Sequence, residues 1–256
     1  MVVRLIMTLI PGHYLHGYEA VYQLQKQQGT AVQQEVDMFA GLRLLLANPY
    51  VLGIYGMIFF YEVLNAILNY QRLFMVSESS ATVGAMTYHL FEQQLYVHAI
   101  SFVVSLVGTT TLVRMMGQQG ALLFIPVASG IALLWLVLQN NLTALVATFV
   151  MVRGINYGVS YPVRESLYIP TIKDIKFKSK SWIDAFGSKF AKMIGGLFNM
   201  TAARVIEHSG EAAYIMLQNG AFAILIGAWF ATSYLLGKRY TQAVDKDEVI
   251  GSAASN

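Results

Sequence analysis

The segment from Ala212 to Gly237 contains no charged residue and is longer than the roughly 20 residues that an α-helix needs to cross a bilayer. It is followed by Lys238 and Arg239, cations of the kind that hold a helix end at a membrane surface. The whole chain of 256 residues is 56% hydrophobic and only 12% charged, and its mean hydropathy is +0.52. Because so little polar surface cannot cover a water-soluble globule, the sequence predicts an all-α membrane protein.

Five further segments are candidates for membrane spans. Four are apolar runs with at most one ionisable group, and the fifth is amphipathic. The amphipathic segment can cross only if Lys189 and Lys192 extend to one interface and Arg204 extends to the other. We therefore predict a domain of six transmembrane helices at 48–240, with spans at 49–68, 95–113, 121–138, 142–161, 182–206 and 212–237.

The flanking regions are more polar. Met1 to Pro11 is too short to span and is predicted to be the end of a helix that begins upstream of this chain. The Gln-rich residues 14–37 are typical of an aqueous linker, so 1–47 is predicted to be a helix end plus a cytoplasmic linker. Residues 71–94 are predicted to be an extramembrane loop with a helical re-entry near its end, and 241–256 a cytoplasmic tail.

The distribution of Lys and Arg predicts the orientation. Seven of the 17 basic residues fall within 161–192, between two apolar segments. If this stretch and both chain ends lie on one side, the other side holds only Arg72 and Arg204. Because basic loops stay in the cytoplasm, the pattern predicts an integral multi-pass protein with both ends cytoplasmic.

Glu62 and Arg153 are the ionisable groups deepest within the predicted spans. Each costs at least about 2.5 kcal/mol at the centre of a membrane helix, so each is a candidate for contact with a solute or a coupling ion. The alternative is that Glu62 and Arg153 pair with each other and only fix the packing of their helices.

Gly154 and Gly158 form a small-xxx-small pattern directly after Arg153. Such a pattern lets a neighbouring helix approach closely, because no side chain separates the two backbones. We therefore predict a close helix contact at these glycines, which more often serves packing than binding.

The basic stretch 161–192 has two interpretations. It could be a cytoplasmic loop that faces lipid headgroups, or its lysines could collect polyphosphates at the mouth of a pore. Helical spacing predicts ion pairs between Asp174 and Lys178 and between Lys180 and Asp184.

The basic stretch contains four short elements in order: Arg164-Glu165, Tyr168-Ile-Pro170, Lys176-x-Lys178-x-Lys180 and Ile183-Asp184. Together they resemble the cytoplasmic signature of the ATP/ADP translocase (nucleotide transporter) family of plastids and intracellular bacteria, which is distantly similar to the major facilitator superfamily. In addition, the segment from Tyr55-Gly56 to Glu62, after Gly41-Leu-Arg-Leu-Leu-Leu46, is similar to the seventh helix of that family.

The resemblance implies that the chain is the C-terminal six helices of a twelve-helix carrier, in a bacterial inner membrane. The N-terminal six-helix half would then come from the same or another chain. The implied activity is ATP/ADP antiport by alternating access, with ATP and ADP as partners besides membrane lipid. Two positions depart from the family: no lysine follows Glu62 within a few residues, and Ser179 stands where the family often has Gly.

Combining the residue pattern with the resemblance gives five candidate substrate-binding residues: Glu62, Arg153, Lys176, Lys178 and Lys180. No catalytic motif, cofactor motif or closed metal-ligand set is recognisable, so we expect no enzyme activity, cofactor, metal or nucleic-acid partner. Two alternatives remain open at this point. The chain could be a facilitator-type carrier of another anionic solute, or a membrane scaffold that transports nothing.

Overall fold

The computed structural model describes residues 39–251, and these are almost entirely helical, as predicted. The upstream helix end at 1–11 and the linker at 14–37 lie outside the described residues. Five helical elements follow one another: α1 (Ala40–Ala47), α2 (Pro49–Ser79), α3 (Val83–Gln139), α4 (Leu142–Leu167) and α5 (Ile175–Asp245).

Short polar residues at the helix starts fix the boundaries. The Asn48 Oδ1 atom accepts from the N–H of Tyr50 at 3.0 Å, and Pro49 occupies the first turn of α2, where no N–H is needed. Thr82 caps α3 in the same way, and Asn141 caps α4 through a 2.8 Å bond from the N–H of Ala144. The connections within α2–α4 are therefore only two or three residues long, which makes successive helices antiparallel neighbours.

Two glycines interrupt the longest helices. Gly117 in α3 has φ of 69° and Gly210 in α5 has φ of 82°, values in the left-handed region that glycine adopts without a steric penalty. At each of these positions two helical arms meet across a kink. We refer to residues 83–116 and 118–139 as the two arms of α3, and to 175–209 and 211–245 as the two arms of α5.

Within the described part of the chain, four segments are long and apolar enough to cross a membrane. They are Pro49–Ser79, Thr111–Gln139, Leu142–Leu167 and Ile175–Asp245. The predicted all-helical fold is therefore confirmed for the described residues, and these four helices are candidate membrane spans. The number of six spans stays a prediction.

The structure corrects the sequence-based interpretation of residues 71–94. They do not form a loop, because α2 continues to Ser79 and α3 begins at Val83. One of the polar side chains that suggested a loop bonds across the helix pair: Arg72 donates to Gln93 Oε1 at 3.0 Å. Likewise, the tail predicted from 241 is helical as far as Asp245.

Helix α4 contains a π-helical turn at Asn156–Ser160, between α-helical pieces at Leu142–Ile155 and Tyr161–Leu167. The turn ends two residues before Pro162, which has no N–H to continue an α-helical hydrogen-bond pattern. Two more π turns, Ile175–Ser179 and Ile183–Gly187, open α5. The segment between Arg153 and Gly187 is therefore wound less regularly than the apolar helices around it.

Helix α2 lies at the centre of the bundle, with a buried face that includes Ile54, Met57, Leu64 and Ile67. Small residues bring its neighbours close. A Cβ atom on Gly195 of α5 would lie 2.6 Å from Ala66 Cβ and 2.9 Å from the backbone oxygen of Val63.

The predicted close contact at Gly154 and Gly158 is confirmed. A Cβ atom on Gly154 would lie 2.8 Å from Ile100 Cγ2, and one on Gly158 would lie 2.7 Å from Val104 Cγ1. The two glycines thus let α4 pack tightly against the first arm of α3.

The C-terminal segment folds back onto the connection between α4 and α5. The N–H of Ile250 donates to the Pro170 carbonyl at 2.7 Å, and the N–H of Ile172 donates to the Ile250 carbonyl at 3.2 Å. Arg239 holds the segment with two hydrogen bonds to the carboxylate of Glu248, at 2.8 and 2.5 Å. These bonds tie the end of the described chain to the basic region.

Candidate anion-binding face

A narrow polar stripe runs along α2. Its members, spaced by three or four residues and therefore on one side of the helix, are Glu62, Asn65, Asn69 and Arg72. The rest of α2 around them is largely apolar, so the stripe is the side of this helix on which polar chemistry is concentrated. The sequence contained this spacing, but ending the predicted span at Leu68 separated Asn69 and Arg72 from Glu62 and Asn65.

A second stripe runs along α4, at Arg153, Tyr157, Tyr161 and Arg164. The Arg153 Nη2 atom donates to the Tyr157 hydroxyl at 3.0 Å, and the Arg164 guanidinium lies 5.9 Å from the centre of the Tyr161 ring. Both tyrosines are exposed, and both arginines are partly accessible. We call the eight residues of the two stripes the polar face.

Glu62 forms an ion pair with Lys192 of α5, and the Lys192 Nζ atom lies 3.5 Å from Glu62 Oε2. The pairing with Arg153 that the sequence left open is not formed. The close contact of Gly195 with α2 explains this choice, because it places Lys192, one turn earlier in α5, beside Glu62. The Glu62 side chain is 16% exposed and that of Lys192 is 47% exposed, so the pair is half accessible.

The Glu62 carboxylate can nevertheless accept a further hydrogen bond. Its Oε2 atom is buried and accepts no hydrogen bond from the described residues, since 3.5 Å to Lys192 is an ion-pair contact with a poor hydrogen-bond geometry. Arg164 also lies near enough to Glu62 and Tyr61 to interact with them electrostatically. The carboxylate is therefore surrounded by cations to which it is not rigidly bound.

Arg72 is the functional candidate that the sequence interpretation missed. It is only 6% exposed, and its guanidinium donates to Gln93 at 3.0 Å and to Asn69 at 2.9 Å. Its guanidinium carbon lies 4.1 Å from the ring centre of Phe149, a buried residue of α4. Arg72 is thus an interior residue of the bundle rather than part of a loop.

Arg153 lies over the same ring, with its guanidinium carbon 5.1 Å from the centre of Phe149. It also donates to Gln94 Oε1 at 3.2 Å, and Tyr61 lies close to its guanidinium. The structure therefore brings Arg153 together with Arg72, and with the residue that precedes Glu62.

The lysines of the basic stretch lie apart from these residues, at the start of α5. Lys178 pairs with Asp174 at 3.0 Å, as predicted, whereas Lys180 pairs with Glu165 of α4 at 2.6 Å and not with Asp184. Lys176 is exposed. Because Glu165 follows Arg164, the Lys180 pair lies next to the end of the polar face.

Tyr168 packs beneath the Lys180 pair, with the Lys180 Nζ atom 5.6 Å from its ring centre. Burial raises the pKa of Tyr168 above its usual value, and this is the largest of the effects that act on it. Its hydroxyl is therefore neutral at physiological pH and adds no negative charge to this region.

The site thus has two parts. Glu62 and Arg153 belong to the polar face inside the bundle. Lys176, Lys178 and Lys180 lie at the start of α5, where only Lys180 reaches α4, through Glu165. Comparison with known protein families, curated proteins and solved structures gives no match.

Proposed function

We propose that this chain is the solute-handling part of a membrane carrier for phosphorylated anions, and that it exchanges ATP and ADP by alternating access. The observation that carries the proposal is the α4 stripe of Arg153, Tyr157, Tyr161 and Arg164 on an accessible side of an apolar helix. Intramembrane cations mark solute pathways by default, because their burial is otherwise costly.

The chemistry of the polar face fits a nucleotide. Arginine binds phosphate through a planar fork of N–H donors, and exposed tyrosine rings offer faces on which a base can stack. Arg153 and Arg164 are separated by about 16 Å along the helix axis at 1.5 Å per residue. A nucleotide base can stack on the two tyrosine rings between these arginines while an arginine binds its phosphates.

The bundle also fits the six-span topology that the resemblance implies. The kinks at Gly117 and Gly210 divide α3 and α5, so that α2, the two arms of α3, α4 and the two arms of α5 make six arms. In this proposal both ends are cytoplasmic. A second six-helix half, from the same or another chain, covers the accessible side of the polar face and closes the cavity.

The Glu62–Lys192 pair then acts as a gate. A phosphate that binds Lys192 competes with Glu62, so the arm of α5 that carries Lys192 loses its tie to α2 while the solute is bound. Lys176, Lys178 and Lys180 raise the local concentration of polyphosphate at the cytoplasmic mouth. Exchange is obligatory if only the loaded carrier moves readily between its two states.

The test is counter-exchange in liposomes. The carrier is reconstituted with both six-helix halves, whether they belong to one chain or to two, and the liposomes are preloaded with ADP. Uptake of labelled ATP is measured for the wild type, Glu62→Gln, Arg153→Gln and Lys180→Ala. We expect at least about a tenfold loss of uptake for Glu62→Gln and Arg153→Gln, the equivalent of about 1.4 kcal/mol, and a smaller loss for Lys180→Ala.

Lys246→Ala is the matched control, because Lys246 is exposed after the end of α5 and outside the polar face. It should leave exchange unchanged. Wild-type liposomes that take up no nucleotide would refute nucleotide transport, and undiminished exchange in both Glu62→Gln and Arg153→Gln would refute the site. Exchange of inorganic phosphate without nucleotide would assign another anionic solute to the same face.

A further inference from the structure

Arg72 and Arg153 share one aromatic ring and have no carboxylate partner among the described residues. The hydrogen-bond acceptors of these two guanidiniums are neutral side chains, Asn69 and Gln93 for Arg72 and Gln94, Tyr157 and Tyr61 for Arg153. Glu62, the one acidic residue of the polar face, is already paired with Lys192. Two positive charges therefore lie together inside a membrane bundle without a compensating negative charge.

Such an arrangement is unfavourable without a counter-ion. Like charges repel strongly where the dielectric constant is low, and a buried ion keeps its full desolvation cost when it is not paired. The face of Phe149 attracts cations through its quadrupole, but a single ring shared by two guanidiniums cannot neutralise both. The amides that surround them donate and accept hydrogen bonds but carry no charge.

Both arginines also retain unused donors. The Nε atoms of Arg72 and Arg153 are buried and have no hydrogen-bond partner among the described residues. A guanidinium has five N–H donors, and each of these two uses only part of that capacity. The groups therefore lack both a negative charge and hydrogen-bond acceptors, and a phosphate oxyanion supplies both.

We propose that Arg72 and Arg153 form a phosphate-binding subsite, in which the phosphoryl oxygens of a bound anion supply the missing counter-charge. Arg153 is the accessible member that meets the anion first, and Arg72 is the interior member that completes its neutralisation. This subsite rests on the proposed function, within which it binds the phosphate end of the substrate. The nucleoside then extends along Tyr157 and Tyr161.

The phosphate can belong to a free solute or to a lipid headgroup, and one experiment separates the two. The full chain is purified in a maltoside detergent, which contains no phosphate. Binding of radiolabelled inorganic pyrophosphate is then measured by equilibrium dialysis, for the wild type, Arg72→Gln and Arg72→Lys. A parallel set adds phosphatidylglycerol as competitor, and native mass spectrometry counts the lipid that stays bound.

We expect Arg72→Gln to raise the Kd for pyrophosphate at least about tenfold, and Arg72→Lys to raise it less, because a lysine keeps the charge but loses the fork. Arg204→Gln is the matched control, since Arg204 is an exposed arginine outside the polar face, and its Kd should equal that of the wild type. If phosphatidylglycerol stays bound to the wild type, is displaced by pyrophosphate and does not bind to Arg72→Gln, the subsite is supported and its natural ligand is a lipid headgroup.

The subsite is refuted if the wild type does not bind pyrophosphate, or if folded Arg72→Gln binds it with unchanged Kd. Arg153→Gln, at the accessible position, replaces Arg72→Gln if helical circular dichroism shows that the latter does not fold. The two proposals fail separately. If the wild type exchanges nucleotide but Arg72→Gln has an unchanged Kd for pyrophosphate, only the subsite is refuted. If pyrophosphate binding depends on Arg72 but the wild type exchanges no nucleotide, only the transport function is refuted.

Discussion

Phe149 should be energetically coupled to Arg72, and a double-mutant cycle measures that coupling. The Arg72 guanidinium lies 4.1 Å from the ring centre and is 94% buried as a residue, so its interaction with the ring is largely desolvated. A desolvated cation over an aromatic face gains about 2 kcal/mol, against about 0.5–1 kcal/mol at an exposed site. Arg72 therefore contributes near the upper value, and Arg153, at 5.1 Å and partly accessible, contributes less.

Neither single substitution by itself measures the interaction energy between the Arg72 guanidinium and the Phe149 ring. Phe149→Leu also leaves a cavity, which lowers the free energy of unfolding. This loss is smaller than that for a Phe→Ala change, which is about 3–5 kcal/mol. Arg72→Gln removes the bonds to Asn69 and Gln93 and also relieves repulsion by Arg153. In the double mutant Phe149→Leu/Arg72→Gln these separate terms cancel, and the coupling that remains should be about 1–2 kcal/mol.

The measurement is the free energy of unfolding by sodium dodecyl sulfate titration in mixed micelles without phosphate, followed by circular dichroism. Phe222 provides the control, because it is equally buried and no described cation lies over its ring. Phe222→Leu and Arg72→Gln should be additive within about 0.5 kcal/mol. A coupling below that value at Phe149 would show that the ring and the guanidinium are neighbours without being energetically linked.

Three further predictions concern the ends of the helices. Gly41→Ala places a Cβ atom 2.5 Å from the backbone oxygen of Lys178, and should lower the free energy of unfolding by about 1–3 kcal/mol. Asn141→Ala removes the cap of α4 and should cost about 1 kcal/mol in the same titration. The hydrogen bonds from Arg239 lower the pKa of Glu248 in the folded protein. They therefore stabilise the docked C-terminal segment fully at a pH above the pKa that Glu248 has in the unfolded chain. This stabilisation is lost as the pH falls through the lower pKa of the folded state. Hydrogen exchange at the Ile250 amide should show that loss, and Glu248→Gln should abolish its pH dependence.

Patterns that depend on neighbouring residues in the sequence were predictable. The apolar runs predicted that the chain is helical and has helices long enough to cross a bilayer, because a bilayer imposes length and hydrophobicity directly on the sequence. The glycines at 154 and 158 predicted the close contact with α3, since the absence of a side chain decides how near a backbone can come. The Asp174–Lys178 pair was predictable for the same reason, as both residues lie one helical turn apart.

Contacts between helices were not predictable from spacing alone. Lys180 had two acids within reach, and the packing of α4 against the start of α5 selected Glu165 instead of Asp184. Glu62 pairs with Lys192 because Gly195 brings α5 next to α2, a consequence of how the helices pack and not of hydropathy. Arg72 was assigned to a loop because its amide and aromatic partners come from three separate segments, which no local window contains.

The docked C-terminal segment offers a position for site-specific fluorescent labelling. The chain contains no cysteine, so one engineered thiol is the only site at which a maleimide dye can attach. Val249 is half exposed and lies between Glu248 and Ile250, the two residues that fasten the segment to Arg239 and to the connection between α4 and α5. A dye on Val249→Cys would therefore move with the basic stretch 161–192, and its fluorescence would register each displacement of that region in a single protein molecule.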